Sequence, residues 1–282
     1  TVVEIVNDDM PFLVDSVTMA ITGAGQAIHF MVHPIVKLER DANGRRVASG
    51  GTPLAESCMH LQIDAQSDAK ALAEIETRVA AGLADVRLAV RDWKPMLGQL
   101  EAALQALTAS PPPLPPDEVA EVTELLRWMR DDNFTFLGYR EYDYEPRSGD
   151  EPMRIIEGTG LGILQDSARR IMVGREGFIS SSPEVMQFLT RQELLIITKA
   201  NARSTVHRPV HLDYVGVRRF DAAGKVMGER RFVGLFTSAA YNRNPRDIPV
   251  LRRKVRRVVQ RAGFPPQSHD GKALLNILET YP

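Results

Sequence analysis

Five short stretches of the chain carry residue types and spacings from which chemistry is built. GTGLGIL (158–164) offers three glycines after an apparent strand, but its G-x-G-x-G spacing is not the G-x-G-x-x-G of a dinucleotide cradle. No parallel strand–helix–strand unit surrounds it, so it reads as a glycine turn. His29/His33 and His207/His211 each stand four residues apart. On a strand both rings of a pair share one face, yet lie about 13 Å apart, too far to hold one metal ion. They read as hydrogen-bonded structural histidines. RSTVH (203–207) places Ser204, Thr205 and His207 close together, without the G-x-S-x-G turn that presents a serine nucleophile. Ser204 and Thr205 read instead as the end of a strand.

LRRKVRRVVQR (251–261) is the most basic stretch. Leu251, Val255, Val258 and Val259 form an apolar stripe, which leaves Arg252, Arg253, Arg256 and Arg257 on the opposite face of an amphipathic helix. No aromatic residues interleave with these cations to stack on bases, so the face reads as solvated or protein-facing. The fifth stretch is NDDMPF (7–12). Free backbone N–H groups at a helix start can bind a ligand carboxylate, and Asn7, Asp8 and Asp9 can meet an ammonium group. The same acids serve equally as helix caps.

The elements that must position these residues follow from periodicity. TVVEIV (1–6) is a β-branched strand. Asp8, Asp9 and Pro11 are helix-start residues, and Leu13, Val17, Ala20, Ile21 and Ala24 recur at helical spacing until Gly23 and Gly25. Strands are expected at 27–40 and 57–64 around the polar turn DANGRR, followed by a helix from Asp68. Val86, Leu88 and Val90 alternate like a short fourth strand, while Val86, Val90, Trp93, Leu97, Leu100, Leu104 and Leu107 fit a helix over 86–107; length favours the helix. This order resembles the βαββαβ sandwich.

SPPPLPPD (110–117) reads as a stiff linker. Beyond it come a helix from Asp117 and strands at 133–145, 153–158, 193–200, 211–221 and 229–241. Short helices are expected near 163–170 and 183–190, and a hairpin turn at AAGK (222–225). Two strands, helices, then three antiparallel strands is the order of a PAS-like sensor fold. The tail from 246 reads as two helices. The expected division is 1–109, linker 110–117, 118–241 and a helical segment 242–282.

The 282 residues suit one large or two ordinary domains, and 44% hydrophobic with 25% charged residues is a globular composition. A formal charge of −1 gives no reason to expect nucleic acid or a membrane surface as partner. The lone Cys58 offers no intramolecular disulfide and no thiolate metal cage, in keeping with a reducing, cytoplasmic setting. No 18-residue apolar run is present. Thr1 already lies in a strand and Tyr281-Pro282 follow an apolar helix, so both ends read as cut from a longer polypeptide.

NDDMPFLVDSV (7–17), NFTFLGYREY (133–142), LLIITKANARSTVHRPV (194–210), ERRFVGLFTSAAY (229–241) and SHDGKALLNILETYP (268–282) together resemble the N-terminal region of the large bacterial NAD-specific glutamate dehydrogenases. The resemblance spans nearly the whole chain. It implies an α+β architecture: an ACT-like, ferredoxin-like βαββα(β) domain, a PAS-like antiparallel-sheet domain and C-terminal helices. It also implies that NAD and the catalytic lysine and aspartate belong to a distant part of the parent, with no cofactor in this stretch. The implied role is to regulate or assemble that enzyme, in contact with its other domains and subunits, in a homo-oligomer, with an amino acid as possible effector. ACT domains carry D-x-P-G-L-L at the first strand–helix junction; here the match is Asp9-Met10-Pro11-Phe12-Leu13-Val14, and Phe12 stands where glycine would be. With Gly25 and Ile28 as the second ligand element, the implied effector site is Asn7, Asp8, Asp9, Met10, Phe12, Gly25 and Ile28. The alternative is a structural oligomerisation module without ligand response, using sheet edges and Arg252, Arg253, Arg256 and Arg257 as contacts.

Overall fold

A computed structural model describes residues 1–144, 153–168, 191–265 and 267–280. They form two compact units, Thr1–Arg91 with Arg203–Val210, and Asp92–Ala202 with His211–Pro282.

In the first unit, β1 (Val2–Asp8) lies antiparallel to the long β5 (Thr52–Ile63), from Val2 opposite Gln62 to Asp8 opposite Glu56. The single strand expected over 27–40 is two strands, β2 (Ile28–Val32) and β3 (Ile35–Arg40), both antiparallel to β5. The break falls at Pro34, which has no N–H for the ladder, while its carbonyl accepts from the Cys58 N–H at 3.0 Å. β4 (Arg46–Val47) closes the polar turn against β3. Two helices, α1 (Leu13–Gly23) and α2 (Ala69–Arg91), bury Leu13, Val17 and Ile21 and Ile75, Val79, Leu83 and Val86, with Ile5, Met59, Leu61 and Ile63 from the sheet. These positions keep the period of 3.6 on the helices and of 2 on the strands. Residues 86–91 lie inside α2, so no fourth strand forms there. Val86 and Ala89 are buried at helical spacing from Leu83, an arrangement a strand cannot give.

The helix expected over 86–107 is also two. After Arg91 the chain turns at Asp92, and α3 (Trp93–Ala109) starts in the second unit. The described contacts therefore divide the chain at 91/92 rather than at 109. The prolines of 110–115 connect α3 to α4 (Pro116–Trp128) inside the second unit, with Pro116 at the first helical position where its missing N–H costs nothing. Met96, Leu100 and Leu104 of α3 and Val122, Leu125 and Leu126 of α4 pack on Phe134, Phe136, Tyr139 and Phe232 of the second sheet.

That sheet has the order β7-β6-β11-β10-β9, with β8 also on β6. Its strands are β6 (Phe134–Asp143), β7 (Arg154–Ile155), β8 (Leu161–Gly162), β9 (Leu195–Arg203), β10 (His211–Phe220) and β11 (Val226–Phe236). The stretch expected as a helix near 163–170 is a turn over 163–168, and the helix expected at 183–190 lies outside the described residues. The glycines of 158–162 make this turn: Gly162 has φ 58°, and a Cβ there would stand 2.2 Å from the Leu137 carbonyl oxygen. β11 ends five residues before the expected 241, in the helical turn Ser238–Tyr241. Two helices, Leu251–Ala262 and His269–Thr280, complete the chain as its periodicity predicts. No helix among the described residues is long and apolar enough to cross a membrane.

Candidate functional site

The strand–helix junction of the first unit is where the sequence puts its candidate binding residues. Asn7 is buried at the end of β1; its amide donates to the Asp8 carbonyl at 2.7 Å and its carbonyl oxygen accepts from the Arg87 guanidinium. Asp8 is the last strand residue, opposite Glu56, whose carboxyl is held below its usual range by the hydrogen bond from Arg40. The Asp9 N–H donates to the Ala55 carbonyl at 2.8 Å. These acids do not cap α1. The residue at the N-cap is Phe12, which makes no side-chain cap and has φ 71° and ψ 0°. The chain there takes the left-handed conformation that glycine adopts freely and a benzyl-bearing residue adopts only against strain.

The Phe12 ring is met by the segment 203–210. Its centroid lies 5.3 Å from that of His207, tilted by 47°, and His207 is itself left-handed at φ 68°. The His207 N–H donates to Ser16 Oγ at 3.2 Å, and its Nδ1 lies 2.9 Å from Asp15 Oδ2. Thr205 Oγ1 donates to Asp85 Oδ2 at 2.5 Å, and Val206 is fully buried. The segment is braced internally by Ser204, whose N–H donates to the Val210 carbonyl and whose hydroxyl donates to that of Val206. Two strained backbones thus face each other across a ring contact, and the chain's own side chains occupy the first turn of α1.

Gly25 and Ile28 are not brought to this place. Gly25, at φ 79°, ends α1 with its N–H on the Thr22 carbonyl, and Ile28 begins β2. The eleven residues of α1 separate them from Phe12 by about 17 Å along the axis. Near them, Asp64 accepts from the Ala27 N–H and from His29, which hold its carboxyl below its usual range.

The basic helix is engaged by its own unit. Arg252 and Arg256 pair with Glu121 at 2.9 and 2.6 Å, and Arg253 with Asp117 and Glu118 at 2.9 and 3.1 Å. Burial pushes the Glu121 carboxyl up, but the Val250 N–H and the two arginines outweigh it and hold the group below its usual range. Of the four arginines singled out from the sequence, Arg256 and Arg257 are exposed, Arg256 while paired with Glu121.

A polar cluster that sequence reasoning missed lies in the second unit. Glu229 is fully buried and accepts from the Tyr144 hydroxyl at 2.5 Å, from the Tyr214 hydroxyl and from Arg231 Nε at 2.8 Å. The Arg231 guanidinium sits 3.7 Å from the Tyr142 ring centroid and 4.9 Å from that of Tyr214. Burial pushes Glu229 up, yet Arg231 and the two phenols outweigh it and keep it below its usual range, while burial holds both phenols far above theirs. The alternation of Glu229 and Arg231 on one strand was visible; that their face is an interior one was not.

Residues 1–79 match the family described as "Glutamate dehydrogenase, ACT1 domain", and residues 248–282 match "Glutamate dehydrogenase, helical motif 1". Among curated proteins, the NAD-specific glutamate dehydrogenase of Halomonas elongata is 37% identical over 295 residues, covering all of this chain and 18% of that protein. The protein of the same description from Pseudomonas aeruginosa is 35% identical over 289 residues, again covering all of the chain and 18% of the relative. That of Mycobacterium tuberculosis is 30% identical over 286 residues, covering 99% and 16%. The chain spans less than a fifth of the length of these relatives.

Proposed function

We propose that this chain, which belongs to the NAD-specific glutamate dehydrogenase family as a segment carrying its ACT1 domain and first helical motif, regulates and assembles its parent enzyme rather than performing the chemistry. The parent oxidises L-glutamate to 2-oxoglutarate and ammonia with NAD, and the residues doing so lie in another part of it. The observation that carries the reading is the closed junction at Phe12. In an ACT-like domain this is the place for an amino-acid effector, and here Phe12 and His207 fill it. A regulator needs a ligand or contact that binds two states unequally. The segment 203–210 supplies such a contact, because its docked and released states differ in strain at two residues and in the bonds to Asp15, Ser16 and Asp85.

An assembly role is supported by the open face of the first sheet. Val2, Val6, Phe30 and Val32 are 53, 61, 50 and 43% exposed, and their pairing with Gln62, Cys58 and His60 puts them on one side. The order of the second sheet, with the hairpin partner β11 inserted between β6 and β10, supports the PAS-like reading of that unit.

The test is glutamate-dependent NADH formation by the parent enzyme carrying Phe12→Gly with His207→Ala, with and without added amino acids, alongside its mass by light scattering. The expected result is an altered response to amino acids or an altered oligomer, with turnover retained. If response and mass both match the unsubstituted enzyme, the regulatory reading fails and a purely structural module remains. Loss of all turnover in a folded, correctly assembled variant would point to a direct catalytic role and overturn both.

A further inference from the structure

Independently of the regulatory reading, we propose that the second unit binds a small organic anion, a carboxylate or phosphate on an apolar body, in the cleft between α3, the proline segment and the base of the β10–β11 hairpin. The cleft encloses about 720 Å³, within the size range of small-molecule sites. One wall is smooth and apolar, from Ala106 and Leu107 to Pro111–Pro113. Opposite stand Phe220 and Met227, and Met227 is an exposed large apolar side chain at the cleft. Gly224, in the hairpin turn, lies so close to Pro113 that a Cβ there would stand 2.9 Å from its ring, so the hairpin turn packs against the proline segment.

The charge is supplied by the strands. Arg230 lines the cleft with a side chain 21% exposed, and among the described residues its contact with a carboxylate is an ion pair to Glu141 at 3.9 Å, beyond hydrogen-bond reach. Its buried Nε–H has no hydrogen-bond partner among the described residues. Glu141 Oε1 instead accepts from the Tyr139 hydroxyl at 2.7 Å, and burial keeps that phenol protonated by pushing it far above its usual range. The neighbouring Arg219 also lines the cleft. It spends one nitrogen on Asp143 and the Tyr142 carbonyl, while its Nε–H is likewise buried without a partner, 3.9 Å from Glu141. Asp221 on the rim turns a carboxylate oxygen to the hairpin, where it accepts from the N–H groups of Ala223 and Lys225.

A guanidinium carries five donors in a planar fork, and a buried Nε–H without a hydrogen-bond partner, as at Arg230 and Arg219 among the described residues, is rare in a folded chain. Two oxygens of a carboxylate or phosphate satisfy such a fork together. The proline and alanine wall then takes the apolar body.

Isothermal titration of the full chain with phenyl phosphate, phenylacetate and inorganic phosphate tests this. Saturable binding of at least one phenyl-bearing anion at millimolar concentration is expected, with inorganic phosphate weaker, and the better of the two names the headgroup. Arg230→Gln should weaken it by at least about tenfold. Ala106→Met, which fills the wall without touching a charge, should weaken it too, whereas Arg257→Gln on the basic helix should leave it unchanged. Thermal melts confirm that each variant is folded; should Arg230→Gln fail to fold, Ala106→Met against Arg257→Gln decides alone. No saturable binding of either organic anion overturns the proposal, as does binding that survives Ala106→Met.

Discussion

The junction at Phe12 and the cluster around Glu229 are made of similar parts, carboxylates, a basic group and aromatic rings, held in opposite ways. At the junction, two left-handed residues hold a ring contact whose bonds to Asp15 and Ser16 are partly open to water. Each such residue costs about 1–2 kcal/mol. Around Glu229, the carboxylate is excluded from water, has three donors, and its arginine lies against two phenol rings. The first arrangement stores strain at two residues. The second cannot lose Glu229 or Arg231 without leaving a charge unpaired in the interior. The contrast sets a strained, partly exposed junction against a cluster whose buried charges hold the second sheet together.

The most severe way to break this comparison is Glu229→Gln, which leaves Arg231 charged and buried. A loss of about 3–5 kcal/mol of unfolding free energy is expected, read from urea denaturation. A loss below about 1 kcal/mol would put the cluster in the same class as a surface ion pair.

Acid and alkali should act next, through the cluster and, on the acid side, also through Glu121 of α4. Glu229 and Glu121 are held below the usual 4.5, so the stability they contribute is present above that value and is lost as pH falls through their lower folded values. Tyr144 and Tyr214 are held above the usual 10.0, so their contribution is present below that value and is lost as pH rises beyond it. Melting temperature against pH should therefore form a plateau between these limits, and a flat profile across both would contradict the burial of the cluster's charge.

A smaller effect is expected from Thr205→Val, which removes the bond to Asp85 and keeps the shape. It should weaken the docking of 203–210 by about 0.5–1.5 kcal/mol, read as faster amide hydrogen exchange in that segment with little change in global stability. The smallest change should come from Phe12→Gly. Relief of about 1–2 kcal/mol of backbone strain offsets the lost ring contact, worth about 0.5–1.5 kcal/mol. Stability should hardly move while the His207 ring protons shift in the NMR spectrum. A large destabilisation instead would mean that the junction is as rigid as the cluster.

Much of this was legible along the chain. The β-branched run at 1–6, the 3.6 spacing of Leu13, Val17 and Ile21, and the alternation of Met59, Leu61 and Ile63 each announce an element whose buried face the fold confirms. The break at Pro34 follows from one missing N–H, and could have been read from the proline itself. The division at Asp92 could not. The apolar stripe runs through it without interruption, and which core claims α3 depends on strands far along the chain, from Phe134 and Phe136 to Val215 and Phe232.

The site divides in the same way. Residue types alone identified the Asn7–Asp9 junction and the basic face of 251–261, because these are local patterns of charge, size and period, and the resemblance to ACT domains marked Phe12 as standing in a glycine position. Tertiary structure alone decided that 203–210 closes the junction, that Arg252, Arg253 and Arg256 are spent on α4, and that Glu229 and Arg231 face inward. The physical reason is that spacing along a chain fixes which side of an element a residue occupies, but whether that side meets water, a charge or a ring depends on partners far away in sequence.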